Sequence, residues 1–200
     1  MKKSFIYPII FMALLTAVFT FVLAFLDYST AERISLIQET ELRKKILYVF
    51  DIELPSEAPE EIKAVFDENI SVEEIDGKTI YRMESDGEIK GFAFPVGGPG
   101  LWGSIEGYVA VSSDFTKMLG IEFVNHSETP GLGGRISEDS FKEQFRGIDI
   151  TDVKDSNYIV YRPATNGNVD AIAGATLTSK SVSNFMNNDI ENFIKERKGE

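Results

Sequence analysis

Residues 170–185 read DAIAGATLTSKSVSNF, the stretch of the chain best suited to holding a ligand. Three small residues, Ala173, Gly174 and Ala175, run straight into Thr176, and hydroxyls follow at Thr178, Ser179 and Ser181. Beyond them Val182, Phe185, Met186, Ile190, Phe193 and Ile194 recur at helical spacing, which predicts an amphipathic helix over 178–198. Small residues strip steric cover from the backbone, so a bulky group can approach it closely. The start of a helix presents unpaired N–H groups and the positive end of the helix dipole, a ready site for an anion. The hydroxyls of Thr178 and Ser179 add hydrogen bonds. The chemistry that fits is the binding of a phosphate-bearing ligand at the helix entrance. A plain capped helix after a glycine turn fits the same residues, and composition alone leaves both readings open.

Other chemistries find less support. The run GATLTSKS has Ser179 where a phosphate loop needs a second glycine before its Lys-Ser pair. The single histidine, His126, stands in no nucleophile-elbow context and reads as a structural hydrogen-bond partner. Among 32 acidic residues no pair stands out for acid–base work. The absence of cysteine excludes disulfides, cysteine-held iron–sulfur clusters and the usual Cys/His zinc sites. No metal ligands are assigned, and redox chemistry would need an organic cofactor.

Among the elements that must position these residues, 5–26 form an uncharged, largely apolar run. At about 1.5 Å per residue it spans roughly 33 Å, enough to cross a bilayer as a helix. Lys2 and Lys3 precede it, so the positive-inside rule keeps the N-terminus in the cytoplasm. The run is longer than the apolar part of a cleaved signal peptide, about 7–15 residues. The expectation is a single-pass protein of the cytoplasmic membrane. Residues 1–28 are its cytoplasmic N-terminus and anchor, and 29–200 are one extracytoplasmic domain. Without the two leading lysines, 18 basic residues face 32 acidic ones, which disfavours nucleic acid and anionic lipid headgroups as partners.

Within the domain, apolar periodicity predicts helices over 30–50, 59–69 and 136–145 besides the C-terminal one, with Ser137 as a cap for the third. Strands are expected over 72–75, 79–83, 89–96, 108–112, 119–125 and 157–161, with DGK (76–78) and SDGE (85–88) as turns and GGPG (97–100) as a loop. The expected class is α+β: a twisted antiparallel sheet with flanking helices, preceded by one N-terminal transmembrane helix.

The run Asp170, Ala171, Ile172, Ala173, Gly174, Ala175, Thr176 resembles the flavinylation motif of the FMN-binding domain family. That motif is an Asp, two variable residues, Ser or Thr, then Gly-Ala-Thr; Ala173 is the one departure. GPGLWG (98–103) resembles the family's Gly-Leu-Trp loop, and HSETPGLGGR (126–135) its His-x-Glu-Thr-Pro-Gly-Leu-Gly stretch. The resemblance implies FMN bound covalently through a phosphoester to Thr176, installed by a flavin transferase. It implies a pocket made by Asp170, Gly174, Ala175, Leu177, Thr178, Ser179, Leu101, Trp102, Glu128, Thr129, Gly131 and Leu132. Trp102 offers the ring a flat apolar surface, and Glu128 and Thr129 are expected to bond its polar atoms. Three motifs in order, behind one anchor, are similar to the family of G subunits of Rnf complexes, ion-translocating ferredoxin:NAD oxidoreductases. The C subunit of the sodium-translocating NADH:quinone reductase is a close relative. The implied role is an electron carrier whose partners are the other subunits of the complex. Two further readings stay open: a flavin domain of another anchored system, and a non-redox anchored module.

Overall fold

The computed structural model describes residues 6–151 and 157–199. Lys2, Lys3 and Phe5, part of the expected anchor and its charged flank, lie outside them. The chain divides into two compact units, Met1–Glu41 and Leu42–Glu200. Helix α1 (Ile6–Val49) starts in the first and ends in the second, so the expected helix over 30–50 is the continuation of the apolar one. Its apolar stretch has a mean hydropathy of 2.8 and no buried residue, and it is long and apolar enough to cross a membrane.

The second unit is built on a five-stranded antiparallel sheet in meander order, β1 (Ile70–Ile75), β2 (Lys78–Ser85), β3 (Glu88–Pro99), β4 (Ser104–Ser112) and β5 (Met118–Asn125). The expected α+β class is borne out. Asp76-Gly77 and Asp86-Gly87 both take positive φ, as two-residue turns matched to strand twist require. On one face, Phe92, Phe94, Val96, Val109, Val111 and Ile121 pack against Val182, Met186, Ile190 and Phe193 of helix α4 (Thr176–Lys198). The rings of Phe94 and Phe193 stack at 3.9 Å between centroids. On the other face, Tyr81, Ala93 and Ala110 pack against Ile46, Leu47 and Val49 of α1 and Ile62 and Phe66 of α2 (Pro59–Asn69). Strand alternation thus feeds two cores, one on each side of the sheet.

Beyond the pair Tyr81↔Ala93, β2 leaves β3 and pairs only with β1. Pro95 and Pro99 lack the N–H that a neighbouring strand needs. Helix α4 takes over this edge: the Gly97 N–H donates to Asp189 at 2.9 Å, and the Ser181 hydroxyl donates to the Pro99 carbonyl. On its other side β3 stays paired with β4 as far as Pro99↔Ser104, so residues 97–99 of the expected loop are strand.

Two further expectations are corrected. Residues 136–145 are not one helix but a 3-10 turn (Gly133–Ser137), a single α-turn α3 (Asp139–Lys142) and another 3-10 turn (Glu143–Phe145). Glu138 is extended and breaks the run, and the Ser137 hydroxyl bonds His126 Nε2 at 2.9 Å instead of capping. Residues 157–161 do not form a strand; Tyr161 makes only an isolated bridge to Val169. Ile159 is buried as its pattern suggests, but a side chain pairs its backbone. Asn187 Oδ1 accepts from its N–H at 2.8 Å, and Asn187 Nδ2 donates to its carbonyl at 3.1 Å.

The α3 region is tied to the sheet by a buried ion pair, Lys142 Nζ to Glu122 Oε2 at 2.6 Å. Arg146 donates to the Tyr48 carbonyl at 2.7 Å, covering an orphan group at the C-terminus of α1.

Candidate functional site

Two cavities compete for the functional assignment. The larger, about 510 Å³, lies in the gap between the β1–β2 hairpin and β3 and contains none of the motif residues. The smaller, about 380 Å³, is lined by Leu101, Trp102, Glu128, Thr129, Leu132 and Gly133 together with the turn and first residues of α4, from Gly174 to Thr178. It gathers all three sequence motifs in one place, and on that ground it is the candidate site. Both volumes fall within the usual range for small-molecule sites, about 300–1,000 Å³, so size does not choose between them.

Each wall follows from its local sequence. The 98–103 loop turns tightly, with the Gly100 N–H donating to the Gly103 carbonyl at 2.7 Å, and lifts Leu101 and Trp102 out of the sheet. GPGLWG spells the letters of a dinucleotide fingerprint, but that fingerprint needs a strand followed by a helix, and here the run joins β3 to β4. The 126–134 loop is pinned by the Thr129 carbonyl, which accepts from the N–H groups of Leu132 and Gly134. The motif turn before α4 is closed by the Ala175 N–H donating to the Ile172 carbonyl at 3.0 Å. Gly174 sits there at φ +78, a conformation that favours glycine.

The apolar part of the site is exposed: Trp102 by 69%, Leu177 by 64%, Leu101 by 50% and Leu132 by 46%. Thr176, the first helical residue, is exposed as well. The preceding Ala175 provides no side-chain cap, so the dipole end of a 23-residue helix borders the cavity uncapped. An uncapped helix start beside an open apolar cleft suits a ligand with an anionic group and a flat ring system, and FMN fits both parts.

Several predicted residues sit differently from expectation. Thr178 and Ser179 are buried, and both hydroxyls bond protein groups. Thr178 donates to Glu128 Oε2 at 2.5 Å, and Ser179 Oγ accepts from the Ile172 N–H at 3.0 Å, holding the motif turn onto its own helix. Glu128 is also buried, and it accepts from the N–H groups of Leu101 (2.7 Å) and Trp102 (3.2 Å) rather than standing open to a ring. Burial works against its charge. The bonds from Thr178, Trp102 and Leu101, with His126 nearby, outweigh that and hold the carboxyl below the usual carboxylate range.

Asp170, Ser179 and Gly131 do not line the cavity. Asp170 pairs with Arg162 at 2.9 Å, its N–H donates to Gln144, and it borders a separate cleft of about 250 Å³ with Arg135 and Ala173. Gly133 does line the cavity. A Cβ there would lie 2.5 Å from Glu128 Oε2 and 2.6 Å from Thr178 Oγ1. A run of three glycines in four residues marks the loop in the sequence without showing which one is indispensable.

Residues 100–191 match the family model of the FMN-binding domain. The resemblance expected from the three motifs is thereby borne out, and FMN is the ligand that the domain's family is described by. The C subunit of the Na(+)-translocating NADH-quinone reductase of Pseudomonas aeruginosa is 37% identical over 117 residues, 54% of this chain and 44% of that protein. The G subunit of the ion-translocating oxidoreductase complex of Methanosarcina acetivorans is 30% identical over 117 residues, 58% of each. The chain thus matches about half the length of these relatives. Among solved structures, the C subunit of the Na(+)-translocating NADH-quinone reductase of Parabacteroides distasonis aligns with a TM-score of 0.66 at 25% identity, covering 80% of this chain and 93% of that one. Shewanella oneidensis NqrC aligns with a TM-score of 0.62 at 21% identity and supports the fold.

Proposed function

We propose that this chain is a membrane-anchored electron-carrier subunit whose FMN is attached through a phosphoester to Thr176. The observation that carries the reading is the placement of Thr176: exposed on the first turn of an uncapped helix, in a cavity lined by residues of all three motifs. Bound there, FMN supplies one- and two-electron chemistry, which the side chains of this protein lack. The chain's own residues bind and orient. The uncapped first turn of α4 favours the phosphate, while Trp102, Leu101, Leu132 and Leu177 offer apolar surface to the ring. The same exposure leaves the site open to protein redox partners. A covalent bond prevents loss of the cofactor on the outer side of the membrane, where the anchored domain resides in this proposal.

The assembly we favour is an Rnf-type ion-translocating complex, with the other subunits as partners and a flavin transferase for maturation. The equal 58% coverage of this chain and of the Methanosarcina acetivorans protein supports that choice. A second reading, the C subunit of a sodium-translocating NADH:quinone reductase, is supported by the higher identity to the Pseudomonas aeruginosa protein. Intact mass of protein from its native cells tests the flavin. A gain of one FMN less water on the peptide holding Thr176, lost in Thr176→Val, is expected. Native protein with the bare polypeptide mass refutes the covalent link. The subunits that co-purify choose between the two assemblies.

A further inference from the structure

Glu128 belongs to no catalytic step, yet one buried carboxylate joins the three segments that wall the cavity. Oε1 accepts from the N–H groups of Leu101 and Trp102, and Oε2 accepts from the Thr178 hydroxyl on α4. The space around it is reserved by glycine. A Cβ on Gly100 would lie 2.5 Å from Oε1, and one on Gly133 would lie 2.5 Å from Oε2. Three hydrogen bonds converge on a group that is only 5% exposed and still borders the cavity. A surface glutamate needs none of this, and a residue kept only to touch a ligand would have its oxygens free.

We infer that Glu128 is a positioning residue with two effects on the same site: it fastens the Leu101–Trp102 loop and the first turn of α4 to the 126–134 loop, and its negative charge holds the reduction potential of the bound flavin down. The second effect rests on the FMN reading above; the first does not. The carboxyl is kept ionised by its donors against the cost of burial. A fixed anion in a poorly solvated wall opposes the added negative charge of a reduced ring more strongly than one in water. The clamp also explains why Thr178 is buried two residues from the exposed Thr176: it is the fastening point of the helix and not part of its anion site.

Two substitutions separate the effects. Glu128→Gln keeps the shape and removes the charge; Glu128→Asp keeps the charge and shortens the reach. Trp102 is the single tryptophan of the chain, so its fluorescence anisotropy reports the clamp directly. That measurement is made on the full chain in detergent with Thr176→Val, which carries no attached flavin, and Glu60→Gln on the exposed face of α2 serves as the control. Anisotropy is expected to fall in Glu128→Asp and stay unchanged in Glu60→Gln. In flavin-loaded protein, with loading verified by mass, Glu128→Gln is expected to titrate at a more positive potential and Glu128→Asp to stay nearer wild type. Wild-type anisotropy in Glu128→Asp overturns the clamp. A loaded Glu128→Gln protein with the wild-type potential overturns the electrostatic effect. Native wild-type protein without flavin mass would sink the FMN reading, while the anisotropy comparison would still decide the clamp.

Discussion

Gly133→Ala is the sharpest test of how the cavity is built. Gly133 is buried and its φ is not positive, so alanine suffers no left-handed backbone penalty there. The whole cost is the methyl group, placed 2.5 Å from Glu128 Oε2, 2.6 Å from Thr178 Oγ1 and 3.1 Å from Glu128 Cβ. Neither oxygen can step aside freely, because they bond each other and Glu128 also holds two backbone N–H groups. Breaking a hydrogen bond to a buried charge costs about 1.5–3 kcal/mol, and forcing a methyl into packed space costs about 1–3 kcal/mol. Alanine returns about 0.4–1 kcal/mol by restricting the unfolded chain. A net loss of about 3 kcal/mol follows, or roughly 6–12 °C in Tm for a domain of this size. Gly131→Ala, two residues away, is the contrast. Its Cβ meets no atom within 4 Å but its φ is +74, so it carries only the left-handed penalty, about 1–2 kcal/mol. Thermal unfolding in detergent, followed by near-UV circular dichroism, compares the two. A Gly133→Ala protein that melts at or above the temperature of Gly131→Ala would refute the packing argument.

Three other outcomes are expected. Lys142→Met leaves Glu122 charged and buried without its partner and should cost about 3–5 kcal/mol, most of it recovered in the double variant Glu122→Met/Lys142→Met; denaturant titrations of these two, Glu122→Met and the wild type give the coupling. Asn187→Ala strands the backbone N–H and C=O of Ile159, at about 1–3 kcal/mol per buried group, and should speed hydrogen exchange at the Ile159 amide; unchanged exchange would show that water replaces the side chain. Glu128 and Glu143 both have carboxyls held below their usual range in the fold. Burial opposes the charge in each; bonds from Thr178 and two N–H groups win at Glu128, and those from Tyr48 and Arg146 win at Glu143. Their stabilisation is therefore complete above the unfolded value near pH 4.3 and is lost as pH falls through the folded values. Tm should hold steady above about pH 5 and drop below about pH 4, with a smaller drop in Glu128→Gln.

The meander was legible because its signals are local. Asp-Gly pairs mark the first two hairpins, and short β-rich runs between turn residues mark the strands. The last three residues of β3 were not legible, because Gly97, Gly98 and Pro99 read as loop; they are strand since β4 on one side and α4 on the other satisfy them. Ile159 shows the converse, a strand-like apolar pattern whose hydrogen bonds go to an amide side chain, which periodicity has no means of seeing. For the site, the three motifs converge on one cavity, and most of the site residues expected from them line it. What the motifs left open was the direction of the polar side chains. Glu128 bonds Thr178 and the Leu101–Trp102 loop across long stretches of sequence, and Ser179 closes back on the Ile172 N–H of its own turn.

The stretch of β3 abandoned by β2 has a bearing on life in crowded surroundings. Along it, Pro95 and Pro99 offer no donor, and Gly97 has already given its own to Asp189. An intruding chain therefore finds no continuous ladder to zip onto, and the hollow beside this edge can stay open without inviting the edge-to-edge aggregation that threatens an unfinished sheet.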